Sequence, residues 1–145
     1  MPSKRLERKR LAAEEASMEN LKPDQLPEQQ ALRLCKDTCD ISTIVTLTKH
    51  SQERVRQKAL VEMCPCRVKT CLDPFWERVF EMLQDPSTLV RKQVLHTLCD
   101  GSPKHLEHEV SQALEHFNCD ADPEIRRMAH KALISYQRTG KWNVL

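Results

Sequence analysis

Residues Asp85–Asp100 read D-P-S-T-L-V-R-K-Q-V-L-H-T-L-C-D. Leu89, Val90, Val94, Leu95 and Leu98 follow the three- and four-residue spacing of a single helix face, which assigns them to packing. Asp85-Pro86 supplies a capping-type side chain before a proline suited to a first helical turn, and Asp100-Gly101 supplies a stop. The same pattern recurs at a fixed offset of 35 residues: Val55, Val90 and Ile125 correspond, as do Arg56, Arg91 and Arg126, and Met63, Leu98 and Leu133. The preceding segment repeats as well, Ile44 matching Val79 and Leu114, and Leu47 matching Met82 and Phe117. The series Leu60, Leu95, His130 breaks the chemistry.

Working outward, each unit reads as two helices joined by a short polar turn: 41–50 with 52–63, 74–84 with 87–98, and 103–117 with 123–138. Ser102-Pro103 and Asp122-Pro123 resemble Asp85-Pro86 as helix starts. Ala31, Leu34, Cys35 and Thr38 make 28–37 a short amphipathic helix, the atypical end unit that a repeat array needs. Residues 1–21 carry many charges and few apolar groups and form a solvated helix or a disordered arm. K-P-D-Q-L-P, residues 22–27, reads as a linker. The expected organisation is therefore an arm and linker at 1–27 and a repeat domain at 28–145, with a cap at 28–40, units at about 41–70, 71–102 and 103–139, and a tail at 140–145.

The bulk composition agrees. Two glycines and 4% aromatic residues are poor material for sheets, whose strands favour aromatics and need turn glycines, so an all-α chain is predicted. No apolar run approaches the roughly 18 residues of a spanning helix, and residues 1–21 lack the apolar block of a secretory signal. An intracellular location, cytoplasmic or nuclear, is expected. Seven cysteines, an odd number, point to free thiols or metal rather than a disulfide framework.

An aliphatic helix, an Asp-Pro-type turn and then V-R-x-x-[AV]-L-x-x-L resembles the HEAT repeat, an armadillo-type α-solenoid unit, across about residues 40–138. The resemblance implies a right-handed superhelix of about three HEAT-like helix pairs with an N-terminal cap helix. It implies that second helices line the concave, partner-binding side. It also implies an arginine–aspartate ladder, with Arg56, Arg91 and Arg126 as donors and Asp85 and Asp120 as acceptors; His50-Ser51 departs from Asp-Pro at the first turn. C-P-C-R-V-K at 64–69, H-T-L-C-D-G-S-P at 96–103 and R-T-G-K-W-N-V-L at 138–145 are similar to a small HEAT-repeat group without an established activity.

Charge sorts by helix. The second helices of the three units carry nine basic and three acidic residues, whereas 73–85 and 103–117 carry two basic and seven acidic. Lys92 and Arg127 are repeat equivalents, as are His96 and Lys131, so they form two rows that Arg54, Lys58 and Arg138 extend. This strip is the candidate site for an anionic partner, against the plainer alternative of a solvated face. An acidic protein segment is the leading partner. Nucleic-acid phosphate is the alternative, aided by the basic cluster at 4–10.

Cys64, Cys66 and Cys71 are the metal candidates, but C-x-C spacing is tighter than structural zinc sites use and no second ligand pair follows. Cys64 and Cys99 share one apolar repeat position, which favours packed thiols. His108-Glu109 is similar to the iron-binding pairs of deoxyhypusine hydroxylase, a HEAT-repeat enzyme, yet its repeat equivalents are Asp73 and Pro74, so that site does not assemble. Trp76 reads as core, and Trp142 as a lid on the last unit. No catalytic residue, cofactor or glycine-rich phosphate loop is legible. The expectation is a non-enzymatic protein-interaction adaptor, of undetermined oligomeric state, that uses a basic concave face.

Overall fold

The computed structural model describes residues 4–18, 20–64 and 73–142. Its helices are α1 (Lys4–Met18), α2 (Glu28–Asp37), α3 (Ile41–Leu47), α4 (Glu53–Glu62), α5 (Asp73–Glu81), α6 (Thr88–Cys99), α7 (Glu107–Phe117) and α8 (Pro123–Thr139). Single 3-10 turns occupy Pro23–Gln25, Met82–Gln84 and Lys104–Leu106, and no strand occurs among the described residues. The chain is an all-α protein, a short α-solenoid. No helix is long and apolar enough to cross a membrane among the described residues.

Helices α2, α4, α6 and α8 pack side by side as one layer, while α3 and α5 meet in the other, with α7 backing α8. The core lies between the layers and takes the repeat-equivalent residues together: Val55, Val90 and Ile125, then Ala59, Val94 and Ala129, all at 0% exposure. Leu60 and Leu95 are equally buried, each side chain contributing about 1.5–3 kcal/mol by leaving water. His130 is exposed, because α8 is the last helix of its layer and this face has no further described unit to cover. The break in the apolar series thus falls on the face of α8 that no described unit covers. Leu89, assigned to packing by the periodicity, is 39% exposed at the start of α6.

Local chemistry sets most boundaries. Asp40 caps α3 by accepting from the Thr43 N–H at 2.8 Å, and the Ser42 and Thr43 hydroxyls help hold its carboxyl down at about 2. Asp122 caps α8 through the Glu124 and Ile125 N–H groups, with Pro123 at the first position. Gly140 closes that helix at φ 69°, donating its N–H to the Tyr136 carbonyl, and Gly101 follows α6 at φ 111°. Two expected caps differ. Helix α6 is capped by Ser87 rather than Asp85, whose carboxylate is engaged by Arg56 and the Ser87 N–H. The Ser102 hydroxyl is buried without capping, and a 3-10 turn precedes α7.

Helix α1 is exposed over residues 4–17, with Leu6 at 64% and Leu11 at 53%. Leu26, in the expected linker, packs on the core, and its carbonyl accepts from His50 Nε2 at 2.7 Å. Trp76 is buried beside Phe75. At the other end, Trp142 packs against the core and lies over Tyr136, with 4.5 Å between ring centroids.

Candidate functional site

The turn between the paired helices builds the repeated polar element. In each unit a residue at the 50, 85 or 120 position accepts a backbone N–H two residues ahead: His50 Nδ1 from Gln52, Asp85 from Ser87 and Asp120 from Asp122. Arg56 sends Nη1 to the carbonyls of His50 and Ser51 in its own turn, then grips Asp85 of the next turn through Nε and Nη2, both at 2.9 Å. Arg91 does the same, with Nη1 on the Asp85 and Pro86 carbonyls and the other two nitrogens on Asp120 at 2.9 and 3.2 Å. Such planar two-point contacts are what a guanidinium makes best. Burial works to raise the Asp120 carboxyl, but the bonds from Arg91 and from the Asp122 N–H hold it below the ordinary carboxylate range.

Arg126 begins the same arrangement and does not finish it. Its Nη1 donates to the Asp120 and Ala121 carbonyls at 2.6 and 3.0 Å. Its side chain forms no ion pair among the described residues, so the two nitrogens that hold a carboxylate in Arg56 and Arg91 are left open at the end of the row. Around it, Arg127, His130 and Lys131 are all exposed on α8, and with Asn118 and Pro123 they bound a depression of about 490 Å³.

The remaining residues of the expected basic strip fall into two groups. Lys92 is engaged by Glu124 at the start of α8, and this carboxylate raises the lysine's pKa. Lys58 is paired with Glu62 at 2.6 Å along α4, and His96 lies 3.8 Å from Asp100. Arg54, Arg127, Lys131 and Arg138 are exposed. The structure therefore brings Arg127 and Lys131 together with Arg126, while the basic groups of α4 and α6 are partly matched by acidic groups on the same layer. Arg126, a ladder residue by its repeat position, is set apart from Arg56 and Arg91 by the absence of an ion pair among the described residues.

Among the thiols, Cys35 and Cys99 are buried in the core, and loss of solvent pushes them up to about 11 and about 12. Cys64 is buried and donates from Sγ to Asp100 Oδ2 at 3.2 Å. Cys66 and Cys71 lie outside the described residues. His105, His108 and His116 are exposed on or beside α7.

These features define a class before any relative is considered: a short solenoid of HEAT-type helix pairs tied by an arginine–aspartate row. Residues 54–145, well over half of the chain, match the family model described as Cnd1, non-SMC mitotic condensation complex subunit 1, and the chain belongs to that family. No curated protein and no solved structure matches the chain.

Proposed function

We propose that this protein is a non-enzymatic interaction adaptor that docks an acidic protein segment on the basic end of its second-helix layer. The observation that carries the reading is the incomplete bonding of Arg126, whose counterparts each hold a carboxylate from the following unit. An aspartate presented by a partner's turn meets the same donors that Asp85 and Asp120 meet inside the chain. Arg127 and Lys131 add attraction at the rim, and exposed His130 in place of leucine makes the end face suited to a charged rather than an oily partner. The family's description, a subunit of a mitotic condensation complex, supports a role in a multi-chain assembly and an intracellular, nuclear or cytoplasmic setting. We take 28–145 as the repeat domain and 1–27 as an arm, and read C-P-C-R-V-K, H-T-L-C-D-G-S-P and R-T-G-K-W-N-V-L as marks of a small HEAT-repeat group.

Binding of a fluorescent Asp-rich peptide and of a short DNA duplex, each followed across salt concentrations, tests this. The peptide should bind wild type, and Arg126→Glu with Lys131→Glu should weaken it at least tenfold while Arg54→Glu changes little. Nucleic-acid binding is the second reading, favoured by the exposed Lys4, Arg5, Arg8 and Lys9 of α1. Duplex affinity that exceeds the peptide's, falls steeply with salt and is lost with residues 1–21 would replace the first reading with the second. Peptide binding indifferent to both α8 reversals would remove the adaptor site.

A further inference from the structure

Away from the basic end, the described residues hold one group of three metal-ligand side chains. Cys64, just past α4, meets His96 and Asp100 from the end of α6, and one donor atom from each lies within 4.8 Å of the other two. We propose that Cys64 Sγ, His96 Nε2 and Asp100 Oδ2 bind a zinc-class divalent ion that fastens the end of α4 to the end of α6.

The donor set selects the metal. A sulfur, an imidazole nitrogen and a carboxylate oxygen suit zinc and its neighbours, whereas calcium and magnesium take oxygen. The two spacings to the Asp100 carboxylate suit one centre, and the sulfur and the imidazole nitrogen lie within 4.8 Å of each other. With ordinary zinc bond lengths and a tetrahedral angle, a sulfur and an oxygen ligand stand about 3.6 Å apart and a nitrogen and an oxygen about 3.4 Å apart. Cys64 Sγ and Asp100 Oδ2 are 3.2 Å apart, and His96 Nε2 and Asp100 Oδ2 are 3.8 Å apart, so shifts of a few tenths of an ångström bring the two distances to those values. His96 and Asp100 are one helical turn apart, which places both on one side of α6 without loop rearrangement.

Electrostatics and access point the same way. Both α4 and α6 end at this place, and the negative ends of two helix dipoles favour a cation there. Cys64 is buried, while the His96 and Asp100 side chains retain 39% and 19% exposure, so an ion enters from their side. Three protein ligands leave a fourth position for water. On binding, the thiol proton that Cys64 donates to Asp100 is released to solvent.

The untagged full chain, stripped with chelator and titrated with Co²⁺, provides the test. One cobalt per chain is expected, with intense tetrahedral ligand-field bands and a thiolate charge-transfer band that Zn²⁺ displaces. Cys64→Ser should abolish the charge-transfer band. His96→Ala, at a partly exposed position where folding is retained, should weaken cobalt binding at least tenfold, since even outer partners of a ligand cost about that much. Zn²⁺ at about a hundredfold over its Kd should raise the Tm of wild type by about 5 °C or more, and the rise should vanish in His96→Ala. The site is overturned if wild type gives no saturable cobalt spectrum, if the charge-transfer band survives Cys64→Ser, or if His96→Ala binds as wild type does.

Discussion

Positions 50, 85 and 120 carry one job in two chemistries. Asp85 and Asp120 each accept the N–H two residues ahead and an arginine from the preceding unit. His50 accepts the Gln52 N–H but has no preceding unit to serve, and its other nitrogen ties down Leu26. Leu26 contributes a carbonyl and Gln52 an N–H, so the ring is held as the neutral tautomer with the proton on Nε2. His50→Ala would leave both backbone groups without this partner, and a loss of about 1–3 kcal/mol is expected in urea unfolding. Arg91→Met should cost more, about 3 kcal/mol at neutral pH, because it strands the Asp120 carboxylate at 5% exposure. The pH dependence has a definite sign. The folded carboxyl of Asp120 lies below its unfolded value of about 3.9, so its contribution is present above that pH and is lost as pH falls through the folded value. Urea unfolding from pH 5 down to pH 2 should therefore show a smaller acid loss in Arg91→Met than in wild type. The 35-residue spacing makes the ladder partners legible, since each acceptor lies 29 residues beyond its donor in both pairs. It leaves Lys92 with Glu124 hidden, because that contact depends on how far α8 is offset along α6, which periodicity does not encode.

Among the elements, the two terminal segments have different relations to the core. Residues 4–17 of α1 are exposed and contribute no side chain to the core, whereas α2 covers α4 with Ala31 and Cys35 buried. Removing residues 1–21 should leave the thermal midpoint within about 2 °C of wild type, as expected for solvated surface. Starting the chain at 41 instead uncovers α4 and removes the Leu26 partner of His50, so aggregation or loss of the cooperative transition is expected in a thermal melt. The tail gives a matching prediction at the other end. Trp142 lies on Tyr136, whose hydroxyl donates to Glu107, so deleting 140–145 opens the α7–α8 junction and should lower Tm by several degrees. Helix α2 is legible to the residue from its amphipathic spacing, because its buried face lies mainly against α4. The starts of α6 and α7 are less so. A proline after Asp or Ser looks the same whether the polar residue caps a helix or is engaged elsewhere, and at Asp85 the arginine of another unit decides the matter.

At the scale of the whole molecule, the two ends of the layer are finished in different ways, and this difference makes the last prediction. The first end is closed: α2 lies on α4 and His50 secures the approaching chain. The far end presents Arg126, Arg127, His130 and Lys131, with histidine at the position where Leu60 and Leu95 bury themselves against a neighbour. An exposed leucine here would add to an end face already backed by the α8 core, and stacking of exposed end units is how repeat proteins lose solubility. His130→Leu should therefore leave the unfolding midpoint nearly unchanged, because the side chain remains in solvent, while promoting concentration-dependent self-association. Light scattering with size-exclusion chromatography distinguishes the cases. Association of His130→Leu that is reversed by adding Arg126→Glu would locate the new contact at the α8 end; a chain that stays at the wild-type mass across the same concentrations would show that surrounding positive charge alone keeps this end apart. In the first case histidine keeps the exposed face of α8 polar, and in the second Arg126, Arg127 and Lys131 protect it by mutual repulsion, the same charge that the acidic partner would neutralise.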